Sequence, residues 1–241
     1  MEKVKRMIIL AAGMGSRLAP LTNDKPKPLV PVNGVPIIVP LIEAALRAGI
    51  TDIYIVRGYK GEQYDALLER YPMLHFIDNS DYDKANNLGS IVAVREYLSG
   101  AYVVEGDLLL YDPDIIKPEQ EESNYLGKYV SHTDDWCFFV DDNKVIERVA
   151  VGGDDCYQMV GISYWSEEDG KRLADCALRA YEGERGHELY WDEVALTYFK
   201  EEFSIHVHPC SEDAVVEIDT YEEWKLLEEE LKEKTDGKTK N

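Results

Sequence analysis

Short apolar runs alternating with longer amphipathic stretches organise the first half of the chain. Residues 7–12 (MIILAA) are wholly apolar and stop at a glycine, the pattern of a strand buried on both faces of a parallel sheet. The segment up to Pro31 also holds Pro20, Pro26 and Pro28, so it cannot be one continuous helix. Residues 36–48 then read as helix, with Leu41, Ile42, Ala45 and Leu46 at helical spacing and Gly49 as the stop. Strands are predicted at 52–57, 74–79 and 101–105, and helices at 61–70 and 87–98. Strand and helix alternate as far as the Gly106-Asp107 pair, which predicts βαβ units and a parallel sheet.

The second half changes character. Residues 129–133, 136–140, 144–151 and 158–164 predict strands with no helix between them. Helices are predicted at 171–181 and 192–198, and strands at 203–207 and 214–218. Residues 221–234 form an acidic amphipathic helix with Trp224, Leu227 and Leu231 on one face, and 236–241 a polar, frayed tail. The expected class is α/β: a Rossmann-like, mostly parallel central sheet flanked by helices, with a smaller mixed α+β part in the second half.

Composition enters mainly through what it excludes. The chain has 241 residues and a net charge of −21, from 47 acidic and 26 basic side chains. Such a balance argues against a nucleic-acid partner and against an anionic membrane surface. No apolar run is long enough to span a bilayer or to act as a secretory leader, which points to the cytoplasm. Cys137, Cys156, Cys176 and Cys210 show no metal-site or redox spacing and read as reduced, mostly buried thiols. His206 and His208 alternate on one strand face, but no third zinc ligand suggests itself.

The strongest chemical signal is Leu10-Ala11-Ala12-Gly13-Met14-Gly15-Ser16-Arg17-Leu18, followed by Pro26-Lys27-Pro28-Leu29. Glycines directly after a first strand let backbone N–H groups approach a phosphate. Arg17 and Lys27, two cations beside this loop in a strongly acidic chain, point to a polyphosphate. The loop is not a dinucleotide fingerprint, because Leu18 stands where the third glycine belongs, and it is not a GxxxxGK[ST] P-loop.

This pattern, LAAGMGSRL with KPKPLV, resembles the signature of the nucleotidyltransferases that join an NTP to a phosphorylated small molecule. The likeness runs over essentially the whole chain and is greatest to the bacterial choline-phosphate cytidylyltransferases. It is carried further by NSDYDKANNLGS (79–90), YVVEGD (102–107), Trp136, GISYW (161–165), LYWD (189–192) and VEIDTY (216–221). The resemblance implies one nucleotidyltransferase domain over 1–241, with 1–110 the nucleotide-binding half and 111–241 the acceptor-binding half. It implies CTP and phosphocholine as substrates, and it leaves a homodimer open. In sugar-nucleotide pyrophosphorylases a Glu-Lys-Pro after a mid-chain strand contacts the sugar phosphate. Here the comparable stretch is Glu147-Arg148-Val149, and Arg148 is an imperfect substitute, which disfavours a sugar 1-phosphate.

Candidate roles follow from residue type and place. Asp107 lies just past the fourth strand, where parallel sheets put ligand sites. Glu217 and Asp219 share a strand face, and neighbouring carboxylates need a cation between them. Asp107 and Asp219, with Glu217, are therefore expected to hold Mg²⁺, as the resemblance also implies. Glu105 reads as a neighbour of Asp107 rather than a ligand. Ala12, Gly13, Gly15 and Ser16 are expected around the triphosphate. Tyr82, Asn87 and Ser90, with Asn79 and Asn86, offer hydrogen bonds to base and ribose, although Asn87 is equally a helix N-cap. Trp136 and Tyr190 flank acids, and with Asp192 they suit a quaternary ammonium, which aromatic faces bind. In the choline branch these segments line the choline site.

The expected reaction is in-line attack of a phosphomonoester dianion on the α-phosphate of CTP, releasing pyrophosphate, with no general base needed. Lys27 would stand by the α-phosphate and Arg17 by the pyrophosphate. Three alternatives remain open. They are the same chemistry on 2-aminoethylphosphonate or phosphoethanolamine, a sugar-1-phosphate nucleotidylyltransferase, and an inactive nucleotide-sensing domain. Intact Arg17, Lys27, Asp107 and Asp219 argue against the last.

Overall fold

The computed structural model describes residues 1–238, with side chains as far as Glu233. Its centre is a seven-stranded sheet. The strands are β1 (Arg6–Ala11), β2 (Ile53–Arg57), β3 (Leu74–Asp78), β4 (Ala101–Glu105), β6 (Asn124–Val140), β7 (Ile146–Trp165) and β8 (His206–Pro209). A separate ribbon pairs β5 (Leu108–Leu110) with β9 (Val215–Glu217), antiparallel. The sheet order is β8-β6-β7-β4-β1-β2-β3. β1 is flanked by β2 and β4, both parallel to it, and β7 is antiparallel to both β4 and β6. The expected α/β class with a mostly parallel sheet is therefore the observed one.

β1 is central because it is apolar on both faces. Met7 and Ile9 pack into one core cluster with helix α1 (Ile38–Arg47), while Ile8 packs into another with α2 (Leu88–Val94) and α3 (Glu167–Tyr181). β1 and β4 end side by side, Leu10 opposite Glu105, so the glycine loop and Asp107 emerge at one edge of the sheet.

Several elements differ from expectation. The predicted helix at 61–70 is a 3₁₀ helix, Gly61–Glu69. Its inward residues Gly61, Tyr64 and Leu67 recur every three positions, which suits three residues per turn. The predicted helix at 87–98 is α only over Leu88–Val94 and closes as a 3₁₀ turn, Arg95–Tyr97. Residues 192–198 hold a π-turn, Val194–Tyr198. The predicted helix at 171–181 begins earlier, because the Ser166 hydroxyl accepts the Asp169 N–H and caps it. The four predicted strands at 129–164 are two long ones, β6 and β7, joined as a hairpin. Thr133 pairs with Gly153 and Trp136 with Val151, so Asp134 and Asp135 stand against one residue, a bulge that polar residues disguise as a loop. The strand expected at 203–207 is shifted to β8, and that at 214–218 is trimmed to β9.

Helix α4 (Tyr221–Lys238) continues four residues past the predicted 234; of the expected tail, 239–241 lie outside the described residues. Its Trp224, Leu227 and Leu231 pack on Leu18, Val30, Val32, Ile37, Leu109 and Ile218, and the Trp224 indole donates to the Pro31 carbonyl at 2.9 Å. α4 thus covers the outside of the glycine loop and the ribbon. No described helix is long and apolar enough to cross a membrane. Truncating Trp224 to Ala is expected to cost about 2–3 kcal/mol, the lower range for a large aromatic because the side chain is only partly buried. Urea denaturation checks this; a loss below about 0.5 kcal/mol would mean that α4 is not anchored there.

Candidate active site

The glycine loop is shaped by its contact with a lysine. Gly15 has φ +58, and a Cβ there would lie 2.7 Å from the Lys27 Cβ. Only glycine meets both demands. The Thr22 hydroxyl donates to the Gly15 carbonyl at 2.9 Å, and the buried Tyr64 hydroxyl donates to the Ala11 carbonyl at 3.0 Å, fixing both ends of the loop. At Gly13 an added Cβ would meet nothing within 4 Å, so its backbone is open to a ligand.

Lys27 is itself buried, with 8% of its side chain exposed. Its Nζ lies 2.7 Å from Asp107 Oδ2 and 2.9 Å from Asp219 Oδ1. Burial opposes its charge, but the two carboxylates outweigh burial and raise its pKa above the ordinary lysine value. Arg17, largely exposed, donates to the same Asp219 oxygen at 2.9 Å. Burial works against the charge of Asp219 too, yet Lys27 and Arg17 hold its pKa below the usual carboxylate range.

Asp219 is set by the start of α4. The Glu223 carboxylate accepts the N–H of Asp219 at 2.8 Å and of Thr220 at 2.9 Å, and the Thr220 hydroxyl accepts the Glu223 N–H at 3.2 Å. This is a reciprocal cap whose spacing, Thr220-x-x-Glu223, is legible in the sequence.

Asp107, Glu217 and Asp219 each offer an oxygen within 4.8 Å of the others, and theirs is the only such group among the described residues. The donors are all carboxylates, the hard oxygen set that suits Mg²⁺ or Ca²⁺. Burial, then the charges of Asp107 and Asp219, push Glu217 up to about 8, so Lys27 alone does not offset the mutual repulsion of the triad. The residues present therefore fit a divalent ion.

These groups line one side of a cavity of about 730 Å³. The structure brings Ala12, Gly13, Gly15, Ser16, Arg17, Lys27, Asn87, Ser90, Asp107, Trp136, Tyr190, Asp192, Glu217 and Asp219 to its wall. Trp136 arrives through the hairpin bulge, and its ring meets Tyr190 edge-on at 6.4 Å between centroids. Asp192 faces them. Burial drives its pKa up to about 6, with Glu193 adding repulsion.

Other expected residues are placed differently. Tyr82 is not on the cavity wall; it packs over Gly58, where an added Cβ would come within 2.6 Å of it. Asn79 is buried in a turn, donating to Ser90 Oγ at 3.1 Å and accepting the Asp81 N–H at 2.9 Å. Asn87 does not cap α2 with its side chain, which accepts the Trp191 N–H at 2.9 Å and so ties the Tyr190-Trp191-Asp192 segment to the start of α2. Arg148 stacks on Phe139, 3.6 Å from its ring centroid, and is not on the cavity wall.

Asp135 and Glu193, acids flanking the aromatic residues, join the wall, as do Met159, Leu196, Thr197 and Gly161, for which the sequence suggested no role. Gly161 carried a signal, since a glycine within an apolar strand marks a bulge or close approach. In all, seven acids line the cavity (Glu105, Asp107, Asp135, Asp192, Glu193, Glu217, Asp219) against two bases, Arg17 and Lys27. An anionic nucleotide can enter such a site only in the company of cations.

A glycine loop after the first strand of a mostly parallel sheet, with paired cations and a carboxylate triad beside it, defines a nucleotidyltransferase. Residues 7–172 match the MobA-like NTP transferase domain, and the chain belongs to that family. It is 42% identical to a 2-aminoethylphosphonate cytidylyltransferase of Lancefieldella rimae, over 90% of this chain and 89% of that protein. It is 32% identical to a choline-phosphate cytidylyltransferase of Streptococcus pneumoniae, over 94% and 98% of the two chains. The solved structure of the CTP:phosphocholine cytidylyltransferase from Streptococcus pneumoniae superposes with a TM-score of 0.87, at 32% identity, covering 94% of this chain and 98% of that one. The protein is a nucleotidyltransferase whose full-length relatives include cytidylyltransferases.

Asp192 gives a stability test. Its carboxyl binds its proton more tightly in the folded than in the unfolded chain. Its contribution is therefore intact below about pH 4 and lost as pH rises through about 6. Asp192→Asn is expected to match the parent in thermal midpoint at pH 4 and to exceed it at pH 7.5, by on the order of 2 kcal/mol. Equal midpoints at both pH values would show that Asp192 is not held in a desolvated place.

Proposed function

We propose that the protein transfers the cytidylyl group of CTP to 2-aminoethylphosphonate, releasing pyrophosphate, with Mg²⁺ on the carboxylate triad. The observation that carries the acceptor is the likeness to a 2-aminoethylphosphonate enzyme over 90% of this chain, and Asp192 on the cavity wall offers a carboxylate to an ammonium of either kind. That identity is 42%, against 32% for the choline-phosphate enzyme of Streptococcus pneumoniae. A primary ammonium needs hydrogen-bond acceptors, and the wall supplies carboxylates. Phosphocholine is the second reading. It is favoured by the Trp136–Tyr190 ring pair and by the pneumococcal relative. A sugar 1-phosphate is not favoured, since Arg148 is engaged on Phe139 rather than on the cavity wall.

The chain's own groups suffice for positioning. Backbone N–H groups of the Gly13–Ser16 loop hold the triphosphate, which reaches them through the open side of Gly13. Lys27, kept charged by its carboxylate neighbours, directs its ammonium at the α-phosphate and the incoming phosphonate oxygen. Arg17, on its exposed side chain, stabilises the departing pyrophosphate. The incoming oxygen is already anionic, so the residues align it rather than deprotonate it. When bound by Asp107, Glu217 and Asp219, Mg²⁺ supplies neutralisation of phosphate charge.

Lys27→Ala is expected to lower turnover by at least about 100-fold, the typical loss of a preorganised group aimed at transition-state charge. Single-turnover rates within a few-fold of the parent would refute this role. The acceptor is tested by pyrophosphate release with CTP and 2-aminoethylphosphonate, phosphoethanolamine, phosphocholine or glucose 1-phosphate. 2-Aminoethylphosphonate is expected to lead phosphocholine in kcat/KM by about 10-fold or more, with the phosphocholine rate falling most in Trp136→Ala. A lead for phosphocholine moves the acceptor to the second reading; release with none of the four refutes the proposal.

A further inference from the structure

Trp191 is not on the cavity wall, but both of its neighbours are. Its side chain is 1% exposed, stacked on Tyr125 at 5.9 Å between ring centroids and edge-on to Trp165 at 6.1 Å. The indole therefore fixes residue 191 in the core, while Tyr190 and Asp192 are presented to a ligand. An anchored indole sets a position, not the turn of the backbone on either side of it. The side chains at 190 and 192 swing with that turn, so the backbone hydrogen bonds decide where they stand.

Those bonds come from the residues that lead into α2. The Asn86 backbone N–H donates to the His187 carbonyl at 2.8 Å, and its side-chain amide donates to the Glu188 carbonyl at 3.2 Å. The Asn87 N–H donates to Asn86 Oδ1 at 2.8 Å, which holds the pair together, and Asn87 Oδ1 accepts the Trp191 N–H at 2.9 Å. The other hydrogen bonds of residues 190–192 stay local. Glu193 accepts the Tyr190 N–H at 2.8 Å, Asp192 accepts the Glu193 N–H at 3.1 Å, and the Trp191 and Asp192 carbonyls accept from Val194 and Leu196. Among the described residues, the Asn87 bond is thus the one hydrogen bond that ties 190–192 to another part of the chain. Without it a partly buried N–H loses its partner and the segment is held by the indole alone.

Asn87 also lines the cavity, with Asn86 and Ser90. With Oδ1 engaged on Trp191, its amide offers a ligand only the Nδ2 donors. One side chain therefore has two separable parts, an acceptor oxygen turned to the backbone of Trp191 and a donor group left for a ligand.

We propose that Asn87 is a positioning residue of the acceptor site: the bond from the Trp191 N–H to its Oδ1 sets the stance of Tyr190 and Asp192 toward the ammonium of the acceptor. The proposal rests on the function reading above for the place of the ammonium, and it holds for a primary and a quaternary ammonium alike. It gives a task to an asparagine that stands at the start of α2 without capping it.

The test separates the two parts of the amide. Asn87→Asp keeps an acceptor oxygen for Trp191 and removes the donors; Asn87→Ala removes both. Steady-state constants are measured with CTP, Mg²⁺ and whichever of 2-aminoethylphosphonate and phosphocholine the parent prefers. In Asn87→Ala the acceptor KM is expected to rise about 5- to 10-fold, as for loss of one neutral hydrogen bond, and to stay near the parent in Asn87→Asp. The kcat should remain within about three-fold in Asn87→Ala, since Lys27 and the triad are untouched. The KM for CTP should follow the reverse order, because Asn87→Asp adds a negative charge to a wall that receives a polyanion. Hydrogen exchange of the Trp191 amide in the nucleotide-free protein reads the tether itself, and it should quicken at least about 5-fold in Asn87→Ala only. An acceptor KM unchanged in Asn87→Ala, or the same order of loss for both substrates, as a general loosening would give, would overturn the role of Asn87. A parent that uses neither acceptor fails at the function reading, and the proposal falls with it.

Discussion

The contact on which the site depends is the Lys27 ammonium held between Asp107 and Asp219. It joins three segments that are far apart in the chain, 80 residues between Lys27 and Asp107 and 192 between Lys27 and Asp219. A buried ion pair of this kind adds little net stability, because desolvation offsets the attraction. What it fixes is geometry. Removing the lysine would leave three carboxylates facing one another, and removing the acids would leave a desolvated ammonium. The surrounding elements serve this contact: Gly15 closes the loop against the lysine stem, the Thr220–Glu223 cap sets Asp219, and α4 packs over the outside.

The second organising fact is charge. A cavity with seven acids and two bases is built to admit cations, although its nucleotide substrate is a polyanion. The arrangement divides the work. Lys27 and the carboxylate triad line one part of the cavity, and Asp192 with Trp136 and Tyr190 lines another; in the proposed reaction these take the phosphates and the ammonium.

Much of this was legible in the chain. The apolar runs of β1, β2, β3 and β4 located the parallel strands, because a strand buried on both faces leaves an unmistakable pattern. The carboxylates were legible by position at strand ends. Less legible were features set by tertiary contact. Asp134 and Asp135 read as a break, whereas they form a bulge that carries Trp136 to the cavity. Tyr82 and Asn79 looked available for a ligand, but packing on Gly58 and a turn hydrogen bond take them away from the cavity wall. Asn87 does not cap α2; it lines the cavity while its side chain tethers Trp191, a contact no local pattern announces. No local pattern announces that Lys27 will meet Asp219.

If the carboxylate triad takes a divalent ion, the proton that burial and its acidic neighbours keep on Glu217 must leave as the ion binds. Calorimetric titration of the nucleotide-free protein with Mg²⁺, in buffers of different ionisation enthalpy at pH 7, reads this directly. About one proton should be released per ion bound, because Glu217 titrates near 8 in the free protein and must ionise to bind metal. In Glu217→Gln the release should vanish and the affinity fall. Binding with no proton exchange, or the same release in both proteins, would contradict the account.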